Sequence, residues 1–312
     1  MLAWVLTAVG DAPELTEIVD PTPATDEVLV RVTASSVNPH DAMVASGAAA
    51  RYLTYDLPAV LGTDVAGTVV GVGSAVADLA PGDRVFGLVR ELTVRRGTFA
   101  ELVAVPREWL ARTPDSVDDA LAGTLGLAGL TALRCREAIL PAAGETVLVN
   151  GATGGVGSFL TQMLAAQDVR VIATASGDAE TTHAEKMGAA AVVDWRGVDV
   201  ADGVRAIAPT GVTGIVDLVT RDADRLSGLA DALLGAHGRL ASTNHVARQS
   251  GSVPTATNIV ATADATAIQT LASLAAEGAL RRATSRALRL PALPEALAAL
   301  AAGSIGKIGL SI

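Results

Sequence analysis

The run Val147-Leu148-Val149-Asn150-Gly151-Ala152-Thr153-Gly154-Gly155-Val156-Gly157 constrains this chain more than any other segment. An apolar strand-like run meets a glycine-rich turn, and a helical pattern from Val156 to Gln167 starts behind it. Gly154 lets a backbone approach a pyrophosphate with no Cβ in the way, and Gly157 lets a helix pack closely on the strand. The first amides of such a helix, and the positive end of its dipole, favour phosphate. The pattern predicts a dinucleotide site over Ala152, Thr153, Gly154, Gly155, Val156 and Gly157, with Ala152 where the usual motif has its first glycine. A purely structural tight turn is the alternative.

The segments after this turn alternate. Strands are predicted at Thr146–Asn150, Val169–Ala173, Ala191–Asp194, Gly214–Val219 and Arg239–Ser242, with helices between them, including one over Asp224–Leu234. Such alternation predicts a doubly wound parallel sheet with helices on both faces. The first third reads differently. Met1–Gly10, Glu27–Val32, Val65–Val72, Arg84–Val89 and Thr98–Val105 are short β-rich runs separated by turn signals such as Pro81-Gly82-Asp83, which predicts a barrel-like β unit. Asp115 is the expected cap of a helix running towards Ile139. Near the C-terminus, Arg281, Arg282, Arg286 and Arg289 form a basic run read as a solvated strand face, with contact to an anionic ligand as the alternative. Gly306 to Leu310 is the last strand-like element.

Composition removes other classes. The 312 residues carry 33 acidic and 23 basic side chains, a formal net charge of −10, and 3% aromatics. An acidic surface repels nucleic acid and anionic lipid, and few rings are left to stack on bases. Mean hydropathy is +0.42. The longest uncharged stretch, Ala120–Leu133, is nevertheless shorter than the roughly 20 residues a bilayer requires. No basic leader precedes Asp11, so no signal peptide is expected. Cys135 is the only cysteine, which excludes an internal disulfide and fits a reducing, cytoplasmic location.

The tip of the second strand of the parallel sheet selects the cofactor. An acid there bonds the ribose of NAD, and its absence admits the 2′-phosphate of NADP. The strand ends Thr174-Ala175-Ser176-Gly177 with no acid, and Asp178 reads as a first-turn residue of the next helix. NADP is expected; NAD stays open, because Asp178 also has the spacing of the NAD acid.

These residues, with the N-terminal third, resemble the zinc-independent quinone oxidoreductases of the medium-chain dehydrogenase/reductase superfamily over essentially the whole chain. Val37-Asn38-Pro39-His40-Asp41 and Pro58 to Gly67 carry the likeness. So do Pro81-Gly82-Asp83-Arg84-Val85, Gly97-Thr98-Phe99-Ala100-Glu101, Leu130-Thr131-Ala132 and Gly306-Lys307. The resemblance implies a Rossmann domain over residues 121–279 and a GroES-like β-barrel catalytic domain over 1–120 and 280–312, with the active site between them. It implies hydride transfer from NADPH to a small quinone or α,β-unsaturated carbonyl, in a homodimer with neither nucleic acid nor membrane as partner. Asn38, Thr63 and Tyr52 are the implied catalytic groups, with Tyr55 a second candidate donor and Asp41 holding the loop after Asn38. Cofactor contacts are implied at Thr131, Thr174, Ala175, Ser176, Trp195, Thr220, Asn244 and Lys307.

Zinc-dependent relatives carry a cysteine where Asn38 stands and a histidine–glutamate pair at Thr63-Asp64. Amide and hydroxyl groups are poor zinc ligands, and His40, His183, His237 and His245 have no ligand spacing, so no metal is expected. NADP-preferring relatives often carry a lysine where Glu180 stands; a carboxylate there repels a phosphate, with Arg170, Lys186 or Arg196 as compensating cations. The alternatives are a biosynthetic enoyl or ketone reductase with a dedicated substrate, and a nucleotide-binding protein without redox turnover, a sensor or cyclase.

Overall fold

The computed structural model describes residues 1–248, 253 and 255–312. Its N-terminal strands are β1 (Leu2–Leu6), β2 (Glu14–Glu17), β3 (Glu27–Val37), β4 (Thr54–Tyr55), β5 (Ala59–Val60), β6 (Asp64–Val72), β7 (Arg84–Leu88), β8 (Thr93–Val94), β9 (Leu102–Pro106) and β10 (Leu110–Arg112). The short helix α1 (Pro39–Ala45) follows β3, and α2 (Asp119–Leu125) and α3 (Leu127–Ile139) follow β10. The single helix expected from Asp115 is thus two. Asp118, not Asp115, caps α2 by accepting the amide of Leu121 at 2.8 Å. Gly126 stands at the break, where only glycine fits: a Cβ there would lie 2.5 Å from the Gly87 carbonyl and 2.6 Å from Asp64.

The alternating stretch then gives β11 (Thr146–Asn150), α4 (Gly155–Ala165), β12 (Arg170–Ala175), α5 (Gly177–Lys186), β13 (Ala191–Asp194), α6 (Val200–Ile207), β14 (Val212–Asp217), α7 (Ala223–Leu233), β15 (Leu234–Ser242) and β16 (Thr255–Asn258). These strands form one six-stranded sheet in the order β13-β12-β11-β14-β15-β16, every pair parallel. Strand order reverses between β11 and β14, the switch point of a doubly wound sheet. Val147, Leu148 and Val149 are wholly buried, as expected of a strand with helices on both faces.

The chain ends with α8 (Ala265–Ala276), β17 (Thr284–Arg289), α9 (Leu293–Ala301) and β18 (Lys307–Ser311). β18 pairs antiparallel with β3, so the two chain ends share the sheet β10-β7-β6-β3-β18-β17, in which β9 also pairs with β3. Trp4 and Phe99 pack there with Leu290, Leu293 and Ile308, and the Trp4 indole donates to the Leu290 carbonyl at 2.7 Å. The four C-terminal arginines are exposed, and Arg286 pairs with Glu295 at 2.7 Å.

Two compact units result: residues 1–130, 262–277 and 284–312, and residues 131–261 with 278–283. These bounds differ from the expected 120/121 and 279/280. The helix α2 packs on β3, β6, β7 and β18, and α8 packs on β10, so both group with the chain ends. No helix among the described residues is long and apolar enough to cross a membrane.

Candidate active site

In the second unit, β11 ends at Asn150 and the chain turns through Gly151 at φ +89°. A Cβ at Gly151 would meet Val219 at 2.6 Å. The Gly151 amide donates to the Thr174 hydroxyl at 2.8 Å, and that hydroxyl donates to the Asn150 side-chain carbonyl at 3.0 Å. The Asn150 amide nitrogen donates to the wholly buried Asp217 at 2.6 Å. Asp217 also accepts the Thr220 amide at 2.8 Å and its hydroxyl at 2.7 Å. The tips of β11, β12 and β14 are therefore tied together by hydrogen bonds, which fixes the turn.

Gly154 is the N-cap of α4 and supplies no side-chain cap. The first amides of a helix have no intrahelical acceptor, so those of Gly155, Val156 and Gly157 remain available to an anion. The two outer glycines of the turn do different work. A Cβ on Gly157 would sit 2.4 Å from the Gly151 carbonyl and 2.6 Å from Ala152 Cα, whereas one on Gly154 would have its nearest neighbour at 3.8 Å. Gly157 is required by packing; Gly154 leaves space beside the amides.

A cavity of about 700 Å³ opens at this end of the sheet, bordered by Thr153, Thr174, Trp195 and Thr220 among the expected cofactor residues. Volumes of roughly 300–1,000 Å³ are usual for small-molecule sites. Asn150, Gly151, residues 198–201 at the start of α6, and Val219, Arg225 and Leu229 also border it. The sequence reading did not name these. The rule that ligands sit at the carboxyl ends of parallel strands points to the segments after β13 and β14. Ala152 and Ala175 are buried and do not border the cavity, nor do Gly154, Gly155, Val156, Gly157, Thr131, Ser176 and Asn244. Instead the Asn244 amide donates to Ser242 Oγ at 3.2 Å.

The charged residues that border the cavity are Glu180, Asp199 and Arg225. Glu180 borders it and accepts the Ser176 amide at 2.8 Å, turning its carboxylate back onto the tip of β12. Arg196 stacks over the Trp195 ring at 4.7 Å from the centroid. Asp194 is held below the usual carboxylate range by the Arg196 amide and the Ser176 hydroxyl.

The first unit contains a buried polar network. Asn38 is 3% exposed. Its nitrogen donates to Asp64 at 2.9 Å and to Thr63 Oγ1 at 3.3 Å, while its oxygen accepts Lys307 Nζ at 2.6 Å. Lys307 also donates to the Val37 carbonyl at 3.1 Å and lies 3.4 Å from Asp64. Asp64 further accepts Ser36 Oγ, and the Leu127 amide at 2.6 Å. Asp41 accepts the Asn38 amide at 2.8 Å and the Thr63 hydroxyl at 3.2 Å, holding the loop after Asn38.

Burial and the neighbouring Asp64 push Asp41 up to about 7. Two carboxylates share one ammonium here, so one negative charge is in excess, and a raised value follows.

Three expectations change on this geometry. Asn38 has both ends of its amide engaged inside the protein, so it positions neighbours rather than presenting a donor. Lys307, expected at the cofactor, is enclosed by protein oxygens because β18 pairs beside β3. Tyr52 is 46% exposed with its hydroxyl 3.8 Å from Met43 Sδ, and it stands outside the network that joins Asn38 and Thr63. The Tyr55 hydroxyl donates to the Val44 carbonyl at 3.0 Å.

Comparisons with known proteins agree with this fold. Residues 24–115 match the family model described as the alcohol dehydrogenase GroES-like domain, and residues 155–270 match that described as zinc-binding dehydrogenase. An NADPH-dependent alkenal/one oxidoreductase from Arabidopsis thaliana is 37% identical over 65% of this chain and 54% of its own length. A putative quinone oxidoreductase from Bacillus subtilis is 34% identical over 62% and 59%. The chain spans about half the length of the curated relatives it matches. Among solved structures, an NAD-dependent alcohol dehydrogenase superposes over 100% of both chains at a TM-score of 0.87 and 27% identity. A mycobacterial protein complexed with NADPH does so at 0.84, also at 27% identity and over 100% of both chains. The chain carries both domains of the medium-chain dehydrogenase/reductase superfamily, and quinone oxidoreductases are among the proteins it is similar to.

Proposed function

We propose that this chain is an NADPH-dependent oxidoreductase that reduces a quinone or an α,β-unsaturated carbonyl without zinc. The observation that carries the reading is the uncapped N-terminus of α4, next to the open space at Gly154 and the cavity at the sheet's switch point. The amides of Gly155, Val156 and Gly157 hold the diphosphate, and Trp195 with Arg196 flanks the adenosine. When bound, the nicotinamide supplies the hydride.

NADPH is favoured by the acid-free tip of β12 and by Arg196 and Arg225, which offer positive charge to a 2′-phosphate. Glu180 opposes it, though its carboxylate is engaged by the Ser176 amide. The relatives named for NADPH dependence or for quinone reduction support the same assignment.

The residues around Asn38 do not fit a zinc ion. They offer an amide, hydroxyls and the Asp41 and Asp64 carboxylates rather than thiolate, the Lys307 ammonium already takes up oxygens of Asn38 and Asp64, and among the described residues no three His, Cys, Asp or Glu side chains are grouped to hold a metal. Buried Cys135, its thiol pushed up to about 12 by burial, is not a nucleophile or ligand. The same reading places the protein in the cytoplasm as a homodimer, with β16, an edge of the parallel sheet, available to a second copy.

The test is loss of the reduced cofactor's near-ultraviolet absorbance with simple quinones and enones, run with NADPH and with NADH. Faster turnover and a lower Kd with NADPH are expected, and failure to bind either dinucleotide overturns the reading. Glu180→Gln removes one charge near the phosphate, worth about 1 kcal/mol at a solvated separation of ~4 Å, and should tighten NADPH about fivefold. NADH affinity should not move.

A further inference from the structure

Behind the glycine turn, Ser158 on α4 meets His183 on α5. Ser158 is wholly buried and His183 half-buried. The Ser158 hydroxyl lies 2.7 Å from His183 Nε2 and 2.8 Å from the Gly154 carbonyl, which also accepts the Ser158 amide at 2.9 Å. A serine against an imidazole nitrogen is the arrangement of an activated nucleophile. Proton accounting excludes that role here. A carbonyl oxygen only accepts, so the single Ser158 hydroxyl proton is committed to Gly154, and the short contact with His183 then takes its proton from Nε2. Burial first and Lys186 second lower His183 from its ordinary value. The ring is therefore neutral at physiological pH and carries its one N–H on Nε2. The imidazole is a donor to the serine, not its base.

This chain of donors ends on a peptide that needs holding. The Gly154–Gly155 unit has a glycine on each side, so no Cβ restricts its rotation. A peptide is planar, with its C=O and N–H pointing in opposite directions. A Gly154 carbonyl fixed towards the helix by two Ser158 donors therefore aims the Gly155 N–H outward from the N-terminus of α4. Hydrogen bonds in series polarise one another, which makes that N–H a stronger donor to an anion.

We propose that His183 and Ser158 are positioning residues for a dinucleotide's diphosphate, holding the Gly154 carbonyl so that the Gly155 amide faces the phosphate oxygens. The proposal rests on the reading above for the presence of the dinucleotide. Both side chains act through the backbone, and no bond is made or broken in what they do. NADPH, NADH and ADP share the diphosphate, so the pair raises affinity for all three alike and carries no preference between them. That separates it from Glu180, whose charge bears on the 2′-phosphate of NADPH alone.

The test combines calorimetric titration with ADP, NADPH and NADH with nitrogen-15 NMR of the protein. In wild type the His183 ring should show the Nε2–H tautomer, its signals assigned by their loss in His183→Gln. Ser158→Ala should raise Kd for all three nucleotides by a common factor of about five, the worth of one ordinary hydrogen bond, and should move the Gly155 amide proton upfield. Ser158→Thr keeps a hydroxyl that can reach the same carbonyl and should bring affinity back to within about twofold of wild type. His183→Gln, whose side-chain amide can donate in place of Nε2, should lose less affinity than His183→Leu. Should Ser158→Ala not fold, the wild-type tautomer and the two His183 variants still decide. An Nδ1–H tautomer in wild type, or unchanged Kd values in Ser158→Ala beside normal quinone or enone turnover, overturns the pair and leaves the reductase reading standing. A loss confined to NADPH also overturns it, by placing the effect at the 2′-phosphate. The common loss in Ser158→Ala, in a protein that binds the nucleotides but turns over no quinone or enone, would sink the reductase reading and keep the pair.

Discussion

Replacing Lys307 by methionine tests the buried network where most is at stake. The Lys307 side chain is 4% exposed and Asp64 is wholly buried, 3.4 Å away. A unit charge pair near 4 Å contributes on the order of 4 kcal/mol at an effective dielectric of about 20. The ammonium also makes hydrogen bonds to the Asn38 side chain at 2.6 Å and the Val37 carbonyl at 3.1 Å. Methionine keeps the length and apolar stem of lysine, so the loss is mainly electrostatic. Breaking such a pair from one side leaves a buried charge and costs about 3–5 kcal/mol. With about 2–4 °C per kcal/mol for a unit of this size, the melting temperature should fall by roughly 6–20 °C. Adding Asp64→Asn removes the stranded charge and should recover at least half of that loss. The assay is differential scanning calorimetry of wild type, both single variants and the double variant, with NADPH Kd measured alongside. A shift under about 2 °C for Lys307→Met would refute the buried-pair reasoning. A large rise in Kd with an unchanged melting temperature would return Lys307 to the cofactor.

The two glycines of the turn should respond in opposite ways. Gly154→Ala has room within the protein, with its nearest neighbour at 3.8 Å, so it should leave the melting temperature unchanged and weaken NADPH at least tenfold by filling the phosphate's approach. Gly157→Ala places a methyl 2.4 Å from a carbonyl and should lower both stability and binding; equal behaviour of the two variants would refute the division of labour. Asp41 rises from its ordinary 3.8 to about 7 in the fold, so the folded state holds that proton more tightly. Its contribution to stability is therefore complete below pH 3.8 and is lost as pH rises through 7. His40, lowered from 6.5 to about 4, contributes oppositely: its share is complete above pH 6.5 and is lost as pH falls through 4. Asp41→Asn should remove the first component, so its urea midpoint should decline less than that of wild type between about pH 5 and 7. Parallel declines would show that Asp41 does not carry the proton.

The glycine turn was legible because everything it needs is local. Val147–Val149 announces a doubly buried strand, and Gly157 must be small because Gly151 and Ala152 lie within a few residues of it. The parallel sheet followed from alternation, and strands such as β13 matched to the residue. Errors occurred where a distant group intervenes. Asp118 rather than Asp115 caps the helix, and a Cβ at Gly126, where the helix breaks, would collide with Gly87 and Asp64, which are distant in sequence. The strand β18 takes its place beside β3 across some 270 positions, as in the Val37–Lys307 hydrogen bond. No periodicity records such a pairing.

Sequence alone therefore determined the class of fold and the glycine-rich turn at the end of β11, because residue type and short-range spacing specify those. Tertiary structure decided which polar groups are already engaged. It paired Lys307 with Asn38 and Asp64, turned Glu180 onto Ser176, and set His183 against Ser158. A hydrogen bond or a desolvated charge depends on distances between atoms far apart along the chain, and only the folded arrangement sets those distances.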